Sequence, residues 1–470
     1  MNPLKQYLKA NIDLITTRLV EFASIPSISA ERAYAPAVRQ AAEWVAARMQ
    51  AVGLRNVRIV DTARHPVVLG DWLDAPGQPT VLIYGHYDVQ VVDPLGSWQT
   101  PPFEPQVRNG RLYGRGVSDD KGPLLTAIEA VGSHLAVNGR LPVQVKFMLE
   151  GEEEIGSPSM EDFLRSHAID LACDVVLSTD GAMWPPGRPS LSVASRGMAS
   201  LEVVVQGACK DLHSGRHGGT APNALIALAQ VLGSLRTPEG RITVEGFYDG
   251  VAEPTECERA EIAAVPYSEA DYCAEMQLKP GFGEPGYSLL ERQWVRPTLD
   301  VVGMGGGYQG EGIKTVIPAS AWAKISCRLV SGQDPHDICE KITRHLHAHC
   351  PPGVHLEASI KEGGVPAYRI ASDHPGLKIA AAVLQDLYGE APLVVRIGAT
   401  LPVTDAFRRH LQADTLFFAF ASADEDYHAP NEFFRLQRLE DGLLGWAEFL
   451  GRMENMDPAL MKGIKSHDCI

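Results

Sequence analysis

A chain of 470 residues has room for two or three domains, each with its own core. At 45% hydrophobic and 21% charged residues it is too apolar for intrinsic disorder. The formal net charge of -16 argues against the basic stripe that nucleic-acid binding needs, so no nucleic-acid partner is expected.

Leu4, Leu8, Ile12, Ile15, Leu19 and Phe22 recur at helical spacing and predict an amphipathic helix lying on a core. Lys9, Asp13 and Arg18 break up what would have to be the apolar region of a signal peptide. No apolar run is long enough to cross a membrane, so a cytoplasmic protein without a membrane partner is expected. Val81 to Tyr84 predicts a buried strand; Val143, Val145, Phe147 and Leu149 alternate along a second, and Val175 to Leu177 ends a third. Strands alternating with helical segments signal an α/β domain with a largely parallel sheet. Leu201 to Val205 and Lys324 to Val330 read as strands of a second sheet. Between them lie a predicted helix over Ala221 to Leu235 and a Gly/Pro-rich stretch near Pro280 to Gly286. The α/β character returns near Asp373, with a helix over Leu377 to Tyr388, a strand over Leu416 to Phe420, and hence a smaller domain inserted into a larger one. Cysteines stand at 173, 209, 257, 273, 327, 339, 350 and 469; none forms a Cys-x-x-Cys pair, and reduced structural thiols are expected.

In open α/β sheets, ligands bind beyond the carboxyl ends of the strands. The first strand is followed by His86 and Asp88, the second by Glu150, Glu152, Glu153 and Glu154, and the third by Asp180. The strand at Leu416 is followed by the loop Asp424 to His428, and Asp119 and Asp120 precede a helical segment from Pro123. Singly, each group has a plain role. His86 with Asp88 could be a hydrogen-bonded core histidine, the glutamates a solvated helix cap, and the two aspartates a helix start. Together they offer two imidazoles and at least three carboxylates to one sheet edge, which suits a pair of borderline cations. His345, His347 and His349 end a helical segment and are expected on its wet face.

The strings GHYDVQ at 85–90, GRGVSDDKGP at 114–123, EGEEEIGS at 150–157 and STDG at 178–181 resemble the two-zinc metallopeptidase family of carnosine-type dipeptidases, aminoacylases, glutamate carboxypeptidases and succinyl-diaminopimelate desuccinylases. So do DLHSGRHGG at 211–219, KTVIPASAWAKISCRLV at 314–330 and DYHAPNE at 426–432, and the resemblance to the dipeptidase branch is the strongest.

The resemblance implies a zinc-aminopeptidase-like catalytic domain over 1–195 and 373–470, interrupted by an inserted α+β lid and dimerisation domain over 196–372. It implies two Zn2+ per subunit, with Mn2+ or Co2+ as substitutes. His86 and Asp180 would hold one ion, Glu154 and His428 the other, and Asp119 would bridge both through a cis Asp119–Asp120 peptide. Asp88 would orient the His86 ring. Glu153 would take the proton from a water bridging the ions and return it to the leaving amine. His213 would stabilise the oxyanion, reaching the partner subunit of a homodimer joined through the inserted domain. Arg328 would pair with the terminal carboxylate of a small peptide substrate. Arg396 to Pro402 stands where dipeptidases usually carry Gly-Gly-Ser-Ile-Pro, a loop that touches the far end of the substrate; Arg396 and Thr400 are therefore expected on the substrate-binding side. The implied reaction is amide hydrolysis next to a free carboxylate. An N-acyl amino acid deacylase on the same site is the alternative, and a catalytically dead peptide-binding protein a more distant one.

Overall fold

The computed structural model describes residues 3–184, 187–361 and 363–462. The chain divides into two compact units: Met1–Val193, Ile370–Val395 and Pro402–Ile470 form one, Ala194–Arg369 with Arg396–Leu401 the other.

The first unit is built on a sheet with a parallel centre. Gln144–Glu150, Thr80–His86, Val175–Ser178 and Thr415–Phe417 lie side by side in that order, all parallel. Val67–Trp72 and Arg55–Val60 continue the sheet antiparallel beyond Gln144–Glu150, and Phe417 faces Ser192 antiparallel on the other side. Val81, Leu82 and Ile83 have no exposed surface, as expected of a strand covered on both faces. The helix Lys121–Asn138 is buried from Lys121 through His134, so its sequence shows no wet face and no helical period. Its start lies two residues before the predicted one at Pro123. The helix Pro3–Ala23 buries Leu8, Ile15, Leu19 and Phe22, as their spacing predicts. The strand predicted over 416–420 is shorter, Thr415–Phe417; the Phe418 N–H still donates to Ser178 O at 3.1 Å, and its ring packs edge-on against Trp446, with centroids 5.4 Å apart.

The second unit carries a four-stranded antiparallel sheet in the order Thr298–Gly306, Ser320–Leu329, Gly197–Gln206, His355–Ile360. Ala321, Ala323, Ile325, Cys327 and Leu329 alternate into a core shared with Leu201, Val203 and Val205. The period of two therefore puts Arg328 on the opposite face of the sheet. The helix expected from Ala221 starts at Ala224, where Asn223 Oδ1 accepts the N–H groups of Leu225 and Ile226 at 2.9 and 3.3 Å. Residues 396–401 group with this unit and interrupt the stretch 373–470. The Arg196 N–H donates to Ile397 O and Ala399 O, both at 3.1 Å, and Arg196 Nε donates to Gly398 O at 2.9 Å.

The seven described cysteines are unbridged, and Cys469 lies outside the described residues. Among the described residues no helix is long and apolar enough to cross a membrane. His347 and His349 are exposed, whereas His345 is half-buried with Nε2 3.0 Å from Ser234 Oγ.

Candidate metal centre

Parallel strands bring their carboxyl ends to one edge. His86 is the last residue of Thr80–His86, Glu153 opens the short turn Glu153–Ile155 after Gln144–Glu150, and Asp180 follows Val175–Ser178. His428 lies in the loop after Thr415–Phe417, at a φ of 58 that few side chains adopt. Asp119 stands just before Lys121–Asn138, and the Asp119–Asp120 peptide is cis.

Asp119 is the meeting point. Its Oδ1 lies 3.0 Å from His86 Nε2 and its Oδ2 3.0 Å from His428 Nε2. Two groups of ligand atoms result, His86 with Asp119 and Asp180, and Asp119 with Glu154 and His428; the atoms of each group lie within 4.8 Å of one another. Glu154 Oε2 is 3.1 Å from His428 Nε2, while Glu154 Oε1 is buried with no hydrogen-bond partner.

Asp88 is fully buried, with Oδ1 3.4 Å from His86 Nδ1. The same carboxylate accepts the N–H groups of Glu153 and Glu154 at 3.3 and 3.1 Å. The acidic run 150–154 is thus divided by its hydrogen-bond partners. Glu150 accepts from Tyr84 Oη at 2.6 Å and Ser157 Oγ at 3.0 Å. Glu152 accepts from Thr62 Oγ1 and the His65 N–H at 2.7 and 2.8 Å. Both carboxylates are held by neutral donors, and of this run only Glu154 joins a group of ligand atoms.

Three buried carboxylates to which the sequence gives no part in the metal centre support it. Asp120 Oδ2 accepts from Thr179 Oγ1 at 2.6 Å and the His86 N–H at 3.2 Å. This contact requires Gly85, since a Cβ there would lie 2.2 Å from Thr179 Oγ1 and 2.7 Å from Asp120 Oδ2. Glu432 accepts the N–H groups of Gly116, Ser118 and Asp119 at 2.9, 3.0 and 3.2 Å, together with Arg115 Nη1 at 2.7 Å. It cradles the turn that presents Asp119. Glu425 accepts from Ser118 Oγ and from the Ser422 N–H at 3.0 Å, tying the His428 loop to the same turn. Asp120 and Glu432 lie inside the motifs at 114–123 and 426–432, and Glu425 in the loop Asp424 to His428, but nothing local marks what their carboxylates bond to.

The electrostatics fit divalent cations. Burial, then the charge of Asp119, pushes Glu154 up to about 7. The same two causes push Asp180 up to about 6. Burial, with Asp180 and Glu154 nearby, holds Glu153 well above the usual carboxylate range. Burial opposes protonation of His86, but its hydrogen bonds to Asp119 and Asp88 outweigh that and raise it. Hydrogen bonds to Asp119 and Glu154 lift His428 to about 10. The cluster holds more negative charge than its two imidazoles offset, and an imidazole–carboxylate donor set suits zinc, manganese or cobalt.

The remaining candidates lie in the second unit. Arg328 Nη1 donates to Thr400 Oγ1 at 2.7 Å, so the structure joins these two. Arg396 is buried and engaged by carboxylates, 2.8 Å from Glu261 and 3.7 Å from Glu258. Its guanidinium holds the 396–401 loop to the helix Glu256–Ala263 of its own unit. His213 is exposed, and its Nδ1 accepts the Gly215 N–H at 3.0 Å.

The profile of Peptidase family M20/M25/M40 matches residues 82–452. The Cys-Gly metallodipeptidase dug1 of Schizosaccharomyces pombe is 29% identical over 97% of this chain and 99% of its own length. Human carnosine dipeptidase 1 superposes with a TM-score of 0.80 at 28% identity, covering 96% of this chain and 98% of that one. An M20 family metallo-carboxypeptidase, Sso-CP2 from Sulfolobus solfataricus, gives 0.81 at 32% identity, covering 94% and 99%.

Proposed function

The chain belongs to peptidase family M20/M25/M40, and on that premise we propose that it is a two-zinc dipeptidase, hydrolysing small peptides that end in a free carboxylate. The carrying observation is the Asp119 carboxylate, one oxygen 3.0 Å from His86 and the other 3.0 Å from His428. His86, Asp119 and Asp180 would hold one ion, and Asp119, Glu154 and His428 the other. Two zinc ions, when bound there, would acidify a shared water and polarise the scissile carbonyl; manganese or cobalt could stand in for them.

Glu153 takes the proton from the attacking water and passes it to the leaving amine, and its raised pKa suits it to holding that proton between the two steps. Asp88 serves both sides of this chemistry. It orients the His86 ring and, through two backbone N–H groups, fixes the turn from which Glu153 and Glu154 project. Arg328, steadied by Thr400, pairs with the terminal carboxylate of the substrate. His213 supplies a donor to the developing oxyanion of a partner subunit. The second unit supports a homodimer. Thr298–Gly306 is an edge strand of its sheet, and Val301, Val302 and Met304 on it are 42%, 65% and 53% exposed.

A panel of dipeptides and N-acyl amino acids, run with zinc or manganese, tests the reading. Turnover of dipeptides with little of the acyl compounds supports it. The reverse order would make the protein a deacylase, and binding without turnover would make it a peptide-binding protein.

A further inference from the structure

The second unit contains a cavity of about 450 Å³, inside the range of small-ligand sites. Arginines dominate its wall, and most of them are neutralised within the unit. Arg236 lies 2.9 Å from Asp300, Arg296 2.7 Å from Glu284, and Arg292 2.9 Å from Glu269. Two are not. Arg328 donates to the neutral Thr400, and Arg196 donates from Nε to the neutral carbonyl of Gly398 at 2.9 Å. Arg196 Nη1 is buried with no hydrogen-bond partner.

Two guanidiniums therefore share one cavity, neither of them in an ion pair; the Asp300 carboxylate, which pairs with Arg236, acts on Arg196 less than burial and the charge of Arg328 do. Burial, then the nearby charge of Arg328, pushes Arg196 down to about 10. A charge withdrawn from water without a counter-charge is costly, and here two half-buried like charges face one cavity, with Arg196 Nη1 buried outright. One carboxylate on Arg328 would leave Arg196 unmatched, whereas a ligand with two carboxylates matches both. The loop 396–401, which carries the Gly398 carbonyl and Thr400, sets the spacing between the two forks.

We propose that Arg196 is a second substrate-reading residue beside Arg328, and that the preferred substrates are dipeptides whose C-terminal residue is glutamate or aspartate. This rests on the reading above that Arg328 meets the terminal carboxylate. The side-chain carboxylate of the same residue then pairs with Arg196. A site built around charged donors rejects an isosteric neutral analogue strongly, because the donor is left unpaired in a desolvated wall.

Glycyl-glutamate and glycyl-glutamine have the same shape and differ by one charge, so their comparison isolates the effect. With metal-loaded protein, kcat/KM for the glutamate compound should exceed that for the glutamine compound at least tenfold. Arg196→Gln should bring the ratio towards one, and Arg196→Lys should keep part of it. A ratio near one in the unsubstituted protein overturns the proposal, whatever becomes of the variants. So does an Arg196→Gln variant that slows both substrates alike with the ratio intact, which is the mark of a merely structural arginine. If neither dipeptide is hydrolysed, it is the dipeptidase reading that fails. Calorimetric binding of the same two compounds then decides the charge preference without turnover.

Discussion

The Asp88 carboxylate accepts the backbone N–H of Glu154 at 3.1 Å while its other oxygen lies 3.4 Å from His86 Nδ1. One buried side chain thus couples a candidate ligand of one metal to the turn carrying a ligand of the other, with the proposed base between them. Asp88→Ala should free the turn and loosen the ring, whose Nδ1 keeps only the Asp88 backbone carbonyl at 3.2 Å. Metal affinity and turnover should each fall by about 10- to 100-fold, the usual effect of losing a residue that orients a ligand. Metal titration beside steady-state kinetics checks this. A loss of turnover at unchanged affinity would place Asp88 with the base alone.

Glu153 and Glu154 are neighbours with different expected roles. Glu153→Gln should keep both metals and lower kcat by about 100- to 10,000-fold, the range for a lost general base. Glu154→Gln should instead empty one of the two sites. Elemental analysis of the two purified variants separates them, and equal metal loss in both would contradict the division.

The pH dependence of stability follows from the raised pKa values. Glu154 stands at about 7 against 4.5 for the free side chain, and Asp180 at about 6 against 3.8. A group raised on folding stabilises fully below its unfolded value, and that contribution is lost as pH rises through the folded one. His428, at about 10 against 6.5, acts in the same direction at higher pH. Asp119 is shifted the other way, so its contribution is lost only in strongly acidic solution. Lys121, pushed down to about 7 by burial, acts in the opposite direction above that value, so the Tm of chelated protein should fall as pH rises from about 5 to about 7. The gain in Tm on adding zinc should grow over the same interval, since the ligands bind deprotonated. A gain independent of pH would exclude these residues as the metal ligands.

His213 is tested by mixing subunits. His213→Ala should lower turnover by about 100- to 1000-fold with metals retained, the usual loss for one oxyanion donor. Co-refolding it with Glu153→Gln should restore activity, because one site of each heterodimer then combines an intact Glu153 with an intact His213. No recovery in verified heterodimers, or full activity in a monomer, would refute completion across subunits.

The sheet edge was legible in the sequence because apolar strands mark their own ends. Parallel order then sends the loops at 86–88, 150–154, 180 and 424–428 to one side; local pattern reaches those loops, and the choice of Glu153 and Glu154 within the acidic run came from the family resemblance. The amphipathic helix at 3–23 and the face of the strand bearing Arg328 were legible for the same reason: side-chain period is a local property. Which of two adjacent acids turns towards the edge is not local. Asp120 turns away from the ligand cluster to Thr179, and Glu152 to Thr62 and His65, each choice made by a partner distant in sequence. Glu432 became part of the site only because the fold brings its carboxylate to three backbone N–H groups more than 300 residues earlier. Arg396 reads as a substrate residue from its place in a motif, while its neighbours Glu258 and Glu261, distant in sequence, come beside it only in the tertiary structure. A buried charge settles where its counter-charge or hydrogen-bond donor is, and that position exists only once the chain has folded.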